Sequence, residues 1–375
     1  MLRRALLIAS LSLLPALAGC GETSDAQPPA ELSVAALQAV AEDAGAPRDQ
    51  LARAIDRLFA DDSMGATRAV IVMYGGKVVG ERYATGFGPE TRFLGWSLSK
   101  TVTAVAVGLL VAEGKLRLDQ TPPIPRWQRP GDPRGEITLR QLLQMRSGLR
   151  NQEMAEKDYE GSAARLLFMD GRDDMAGEAE AQPLESEPGA RFEYSTASAV
   201  ILADIVTRVL AGEAHPARRQ AVTDRFLRDR LFAPLGLESM TAEYDAAGTF
   251  IGGAMIHATA RDWARFGEFL RHGGSVKGAQ ILPRGWIAFM RKPSPRAPDY
   301  GAQLWLNRPS GGEREVLFPA QGPADAFGMA GHLGQYVIVS PRQRLTVVRL
   351  GMTDEEHQRD VVRGIAGIFA LYPVR

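Results

Sequence analysis

Ser97 and Lys100 stand three residues apart in the stretch GWSLSKTV, residues 95–102. On a helix that spacing puts both side chains on one face. A serine hydroxyl is a weak nucleophile until a base takes its proton. Lysine is such a base only when its pKa falls, and burial does this by disfavouring the charged form. The lysines of the chain are Lys77, Lys100, Lys115, Lys157, Lys277 and Lys292, and only Lys100 follows a serine at this distance. A serine in this place also suits a helix N-cap, a role worth about 1 kcal/mol, so the pair alone leaves a structural reading open. Ser99 adjoins Lys100 and, on a helix, points elsewhere.

Two distant segments offer partners. Tyr194 lies in SEPGARFEYSTASAVILADIV, just ahead of an apolar run. A tyrosine beside a serine–lysine pair can shuttle the proton between nucleophile and leaving group; otherwise it is a core aromatic with its hydroxyl satisfied. His332 lies in GMAGHLGQYVIVSP, ahead of a strand. Gly334 would permit close backbone approach, and the N–H of Gln335 could join that of Ser97 in holding an oxyanion. Alternatively His332 is a structural residue at a strand end. The histidines His215, His257, His272, His332 and His357 include no HxH or HExxH spacing, so neither a metal nor another cofactor is expected.

Taken in order, Ser97-x-x-Lys100, Tyr194-Ser195-Thr196 and His332-Leu333-Gly334 resemble the three motifs of the serine β-lactamase and penicillin-binding-protein superfamily. The likeness is to its class C β-lactamase-related branch, which also holds esterases, D-amino-acid peptidases and aminohexanoate-dimer hydrolases. It extends from about Leu51 to the C-terminus through phrases such as ITLRQLLQMRSGL, PGARFEYS, GGAMIHATARDWARFGEFL and VVRLG. The resemblance implies an α+β fold, three layers α/β/α about an antiparallel sheet, with an all-helical lobe. It also implies an acyl transfer in which Ser97 attacks an ester or amide, Lys100 and Tyr194 relay the proton, and His332 orients Tyr194 or the substrate. Class C β-lactamases carry Asn where this chain has Thr196, and Lys-Thr-Gly where it has His332-Leu333-Gly334. Threonine offers only a hydroxyl in place of an amide. Histidine carries no fixed charge near neutral pH, and Leu333 removes a further hydroxyl. These departures disfavour β-lactams and resemble the esterase and aminohexanoate-dimer hydrolase members. The expectation is a serine hydrolase of small ester, amide or peptide substrates. The alternatives are a D,D-peptidase or β-lactamase-type enzyme and a non-catalytic binding member.

Hydrophobic patterning supplies the elements that must hold these residues. Residues 48–60 have helical spacing, with Leu51, Ile55, Leu58 and Phe59 on one face. RAVIVMYGGKVVGERYATG reads as a hairpin turned by Gly75 and Gly76. Residues 101–112 and 197–211 are helices apolar nearly all round, and so buried. Thr138 caps a short helix over 137–143. YGAQLWLN, QYVIVS and LTVVRLGM read as strands, and 355–372 as a closing helix. Strands thus lie at the two ends of the chain and helices between, which predicts one sheet lobe from 48–96 and 256–375 and a helical lobe over 97–255. The acidic segment 172–187, RDDMAGEAEAQPLESE, is a solvated loop or brings carboxylates to the cleft.

The chain is 45% hydrophobic and 23% charged, with 44 basic and 44 acidic residues. That balance fits a folded domain and gives no nucleic-acid surface. At the N-terminus, Arg3 and Arg4 precede an apolar stretch over 5–16 that is short for a membrane span. Leu17-Ala18-Gly19-Cys20 follows, with the chain's only cysteine, and resembles a bacterial lipobox. The expectation is a lipoprotein signal over 1–20, lipidation at Cys20, a flexible tether over 21–47, and a hydrolase domain over 48–375. That places the protein in a bacterial cell envelope, anchored to the bilayer and facing the periplasm.

Overall fold

Residues 32–374 are described by a computed structural model. The expected leader with Cys20, and the first part of the tether, lie outside the described residues. β1 (Ala66–Tyr74) and β2 (Lys77–Tyr83) form the expected hairpin. Its two turn residues, Gly75 and Gly76, have φ of 62° and 85°, the left-handed pair a two-residue hairpin turn requires. β3 (Arg92–Leu94), β4 (Thr241–Ala242) and β5 (Ile256–Thr259) form a small sheet in the order β3-β5-β4. β6 (Ser275–Val276) and β7 (Ala279–Gln280) are a surface hairpin.

The main sheet adds β8 (Trp305–Leu306), β9 (Phe327–Gly331), β10 (Gln335–Ser340) and β11 (Leu345–Met352) in the order β2-β1-β11-β10-β9-β8. Every pairing in it is antiparallel. β1 and β11 are adjacent, from Ala66 opposite Met352 to Tyr74 opposite Leu345, so the two ends of the chain do meet in one sheet. Alternate residues of β1 enter two cores: Val70 and Val72 pack with the helices Arg48–Ala60 and Gln358–Phe369, while Ala69, Ile71 and Met73 pack with Leu98–Ala112 and Ala260–Arg271. Burial on both faces explains why β1 reads as an unbroken apolar run. Most other helices fall between 98 and 255, as the patterning predicted.

Two expectations need correction, and one strand has no counterpart among them. The tether does not run to Pro47. Residues 34–38 are helical, Ala36, Val40 and Ala44 are buried, and Val40 bridges to Gly80 on the edge strand β2. The segment's alanines and prolines resemble a linker in composition, but small apolar residues here cover a sheet edge that would otherwise be exposed. The strand expected over YGAQLWLN shrinks to Trp305 and Leu306, because a turn at 301–304 closes on the Gly301 N–H and Leu304 carbonyl at 2.8 Å. Conversely β9, FGMAG, carries no strand signal in the sequence. Its glycines are there for close approach: a Cβ on Gly328 would lie 2.4 Å from the Val337 carbonyl oxygen, and one on Gly331 2.6 Å from that of Gly95.

Gly328 is flanked by backbone that has nowhere to move. Gly328→Ala should therefore lower stability by about 1–3 kcal/mol through overpacking, read as a lower denaturation midpoint with an unchanged denaturant slope.

Candidate active site

The segment that presents Ser97 is pinned before the helix starts. β3 ends at Leu94, and the Gly95 N–H donates to the Ile256 carbonyl at 2.8 Å. A Cβ on Gly95 would meet the Trp263 ring at 2.3 Å. Trp96 has φ 47°, a left-handed conformation that costs a bulky residue energy and is held only by surrounding structure. Ser97 then opens the helix Leu98–Ala112, yet its side chain makes no capping hydrogen bond. The hydroxyl is directed to Lys100 instead, so the capping reading falls. Ser99 has a different role: fully buried, its Oγ accepts the Ile256 N–H at 3.1 Å and ties the helix to β5.

Lys100 is 2% exposed. Its Nζ lies 2.8 Å from Ser97 Oγ, 2.8 Å from Thr196 Oγ1 and 2.9 Å from the Gly253 carbonyl oxygen. Desolvation pushes its pKa down to about 8, opposed by the negative charge of Glu153. The Gly253 carbonyl reaches it because Gly252 and Gly253 let their loop lie against two helices. A Cβ on Gly252 would be 2.3 Å from Thr103 Oγ1, and one on Gly253 3.0 Å from the Thr196 methyl.

Tyr194 precedes the helix Thr196–Ala211, capped by Ser195. Burial moves the phenol pKa well up, opposed by the nearby Ser97 hydroxyl. The ring is stacked on Trp305 at 5.4 Å and meets Tyr300 edge-on at 5.9 Å. The Lys100 amine sits over its face, 5.0 Å from the centroid. Asn151 donates to the Tyr194 carbonyl at 3.0 Å. A phenol shifted upward is protonated at neutral pH, so between these two groups Lys100 is the better proton acceptor.

Sequence reasoning missed Glu153. It lies in the loop after Leu149, where one carboxylate oxygen accepts the Thr196 N–H at 2.7 Å and the other accepts the Thr196 hydroxyl. Nothing in its neighbours NQEMAEK marks it, because its partners are 43 residues away. The acidic segment 172–187 does not supply the cavity's carboxylates; within it Glu180 is buried against Arg208 and Arg126 instead.

The third motif is divided. His332 lines the cavity and meets Trp96 edge-on at 5.0 Å. Gln335 and Gly334 are not brought there. Gln335 belongs to β10, which β9 separates from the Ser97 turn, and its amide bonds the carbonyls of His332, Leu333 and Gly351 and the N–H of Gly351. Gly334, at φ 78°, faces the buried Arg349, whose guanidinium takes its carbonyl at 2.9 Å and also holds Met64, Thr67 and Thr353. The end of β9 comes up to the Ser97 turn, where a Cβ on Gly331 would lie 2.6 Å from the Gly95 carbonyl oxygen and 3.3 Å from the Trp96 Cβ. β8 pairs with β9 only at Phe327 and Gly328, which leaves 329–331 as a strand edge, and Ala330 and Gly331 line the cavity.

That cavity encloses about 500 Å³. Its walls are largely apolar, with Trp96, Met154, Leu167, Phe168, Trp305 and Val316 around Ser97, Tyr194 and Thr196. Among the described residues Glu153 and Glu355 are its charged lining residues, and no arginine or lysine lines it. A polar hollow of about 620 Å³ lies beside it, lined by Asn151, Gln152 and Ala197 among others, and does not include Ser97. Among the described residues no cluster of metal-ligating side chains is found, and no helix is long and apolar enough to cross a membrane.

The sequence profile of the Beta-lactamase family matches residues 55–371. The chain belongs to that family. It has a β-lactamase/transpeptidase-like fold. It is 27% identical over 233 residues to the 6-aminohexanoate-dimer hydrolase of Paenarthrobacter ureafaciens, a match spanning 59% of this chain and 56% of that enzyme. Among solved structures, a family VIII carboxylesterase is similar with a TM-score of 0.62 at 17% identity, over 88% of this chain and 98% of that one. A penicillin-binding protein homologue from Caulobacter crescentus gives 0.60 at 19% identity, over 88% and 98%. These two likenesses are of fold.

The form of Lys100 that accepts a proton is the neutral one, so reactivity of Ser97 should increase with pH. Labelling of Ser97 by a fluorophosphonate is expected to accelerate as pH rises and to level off above about 8, where Lys100 has lost its proton.

Proposed function

We propose that this protein cleaves uncharged ester or amide substrates through an acyl intermediate on Ser97. The observation that carries the reading is the 2.8 Å contact between Ser97 Oγ and an amine buried enough to be a base near neutral pH. Ser97 Oγ attacks the carbonyl carbon as its proton passes to Lys100. The resulting oxyanion is held by the Ser97 N–H, ahead of the first helical turn where such groups lack intrahelical partners, and by backbone N–H of the β9 edge. Collapse breaks the bond to the leaving group, which takes a proton from the Tyr194 hydroxyl, resupplied by Lys100. Water then attacks the acyl carbon, gives its proton back along the same route, and releases the acid with Ser97 restored.

The cavity lining favours substrates without a carboxylate. Glu153 and Glu355 are in the cavity lining and, among the described residues, lysine and arginine are not, whereas penicillins and D-peptides present a carboxylate that needs a positive partner. The apolar walls suit an alkyl or aryl group. The 6-aminohexanoate-dimer hydrolase relative supports cleavage of an amide bond, and the carboxylesterase likeness supports cleavage of an ester.

Ser97→Ala should abolish turnover of a nitrophenyl ester while leaving the melting temperature within a few degrees. Ser99→Ala should do the reverse, keeping turnover but costing about 1–3 kcal/mol for the orphaned Ile256 N–H. Undiminished turnover by the Ser97 variant would sink the assignment. We also propose that Cys20 carries a lipid anchor in the envelope, on the strength of Arg3, Arg4, the apolar stretch and Leu17-Ala18-Gly19-Cys20. Cys20→Ala should then move the protein from the membrane fraction and abolish labelling by a fatty-acid probe in cells.

A further inference from the structure

Lys100 has three polar neighbours, and the direction of each hydrogen bond decides whether it can act on Ser97. A neutral amine offers two N–H donors and one lone pair. The Gly253 carbonyl can only accept. The Thr196 hydroxyl has a single proton, and that proton is committed to Glu153, whose carboxylate also takes the Thr196 N–H. Toward Lys100, therefore, Thr196 can only accept. Both amine protons are used, on Gly253 and Thr196, and the lone pair is left for the one remaining neighbour, Ser97.

Resting on the Ser97 acyl-transfer reading, we propose that Glu153 is a positioning residue that fixes this direction, by holding the Thr196 hydroxyl as an acceptor so that the Lys100 lone pair faces the Ser97 proton. Glu153 touches neither Ser97 nor the substrate carbonyl in this role; it acts through Thr196. Its own place is set by the first N–H of the helix Thr196–Ala211, where the helix dipole favours a negative group. Without a carboxylate there, the Thr196 hydroxyl is free to turn and donate to the Lys100 lone pair. Lys100 must then donate to Ser97, which is the wrong sense for taking its proton.

Glu153→Gln tests this directly. The Thr196 N–H is a fixed donor, so the amide oxygen must face it and the amide NH2 must face the Thr196 hydroxyl, which drives that proton toward Lys100. The removal of a charge acts in the opposite sense, since the Glu153 field raises the Lys100 pKa. In the variant, the rise of kcat/KM with pH should move to lower pH, while the plateau at high pH falls ten- to a hundredfold with KM nearly constant. Thr196→Val, which removes the acceptor, should lower the same plateau, and the double variant should be no slower than Thr196→Val alone. The fluorophosphonate labelling rate of Ser97 should follow the plateau in each case. A Glu153→Gln or Thr196→Val enzyme with a full plateau would overturn the inference, as would losses that multiply in the double variant. A wild-type chain that fails to label at Ser97 would instead remove the acyl-transfer reading beneath it, and the inference with it.

Discussion

The site depends on one buried amine. Removing Lys100 from water penalises its charged form, and the penalty is what turns a surface-type cation into a base. Such burial is tolerable only because each polar need of the amine is met, by Ser97, Thr196 and Gly253. A nitrogen left short of partners in that environment would cost the full price of its desolvation. The three neighbours come from three separate parts of the chain, so the packing of the helical region and the chemistry of the pair are one problem.

Close backbone approach solves it. Gly252 and Gly253 let a loop lie between Leu98–Ala112 and Thr196–Ala211 without a Cβ in the way, and Gly331 lets β9 come up to the Gly95 carbonyl. The strained Trp96 turn, clamped by Trp263 and by the bond from Gly95 to Ile256, fixes where Ser97 starts its helix. On the far side of the sheet, Arg349 performs a purely structural duty. It has no carboxylate partner among its hydrogen bonds, which go to the Thr67 and Thr353 hydroxyls and to two carbonyls, one of them in the turn behind His332.

Much of this was legible in the sequence where the relevant forces are local. The three-residue offset between Ser97 and Lys100 follows from helix geometry, and the Gly75-Gly76 hairpin from backbone conformation alone. The apolar runs flagged both buried helices. Reading failed where the deciding contacts are distant. β9 is hidden because its glycines serve packing against Val337 and Gly95 and so weaken the local strand pattern. Gln335 follows the His332 motif in sequence, which suggests a place at the oxyanion; the sheet puts it one strand behind. Residues 32–47 looked like linker, but a few small apolar side chains suffice to cover an edge strand.

Residue types and their periods along the chain determined which elements form and that a serine hydroxyl and a lysine share one helix face. Only the tertiary structure decided that Lys100 is dry, that Ser99 is a tie and Ser97 is free of capping, and that Glu153 stands behind Thr196. The division has a physical cause. Local geometry needs only a few neighbouring residues, whereas desolvation and hydrogen-bond direction depend on every group that packs around an atom, and those groups are brought together from all along the fold.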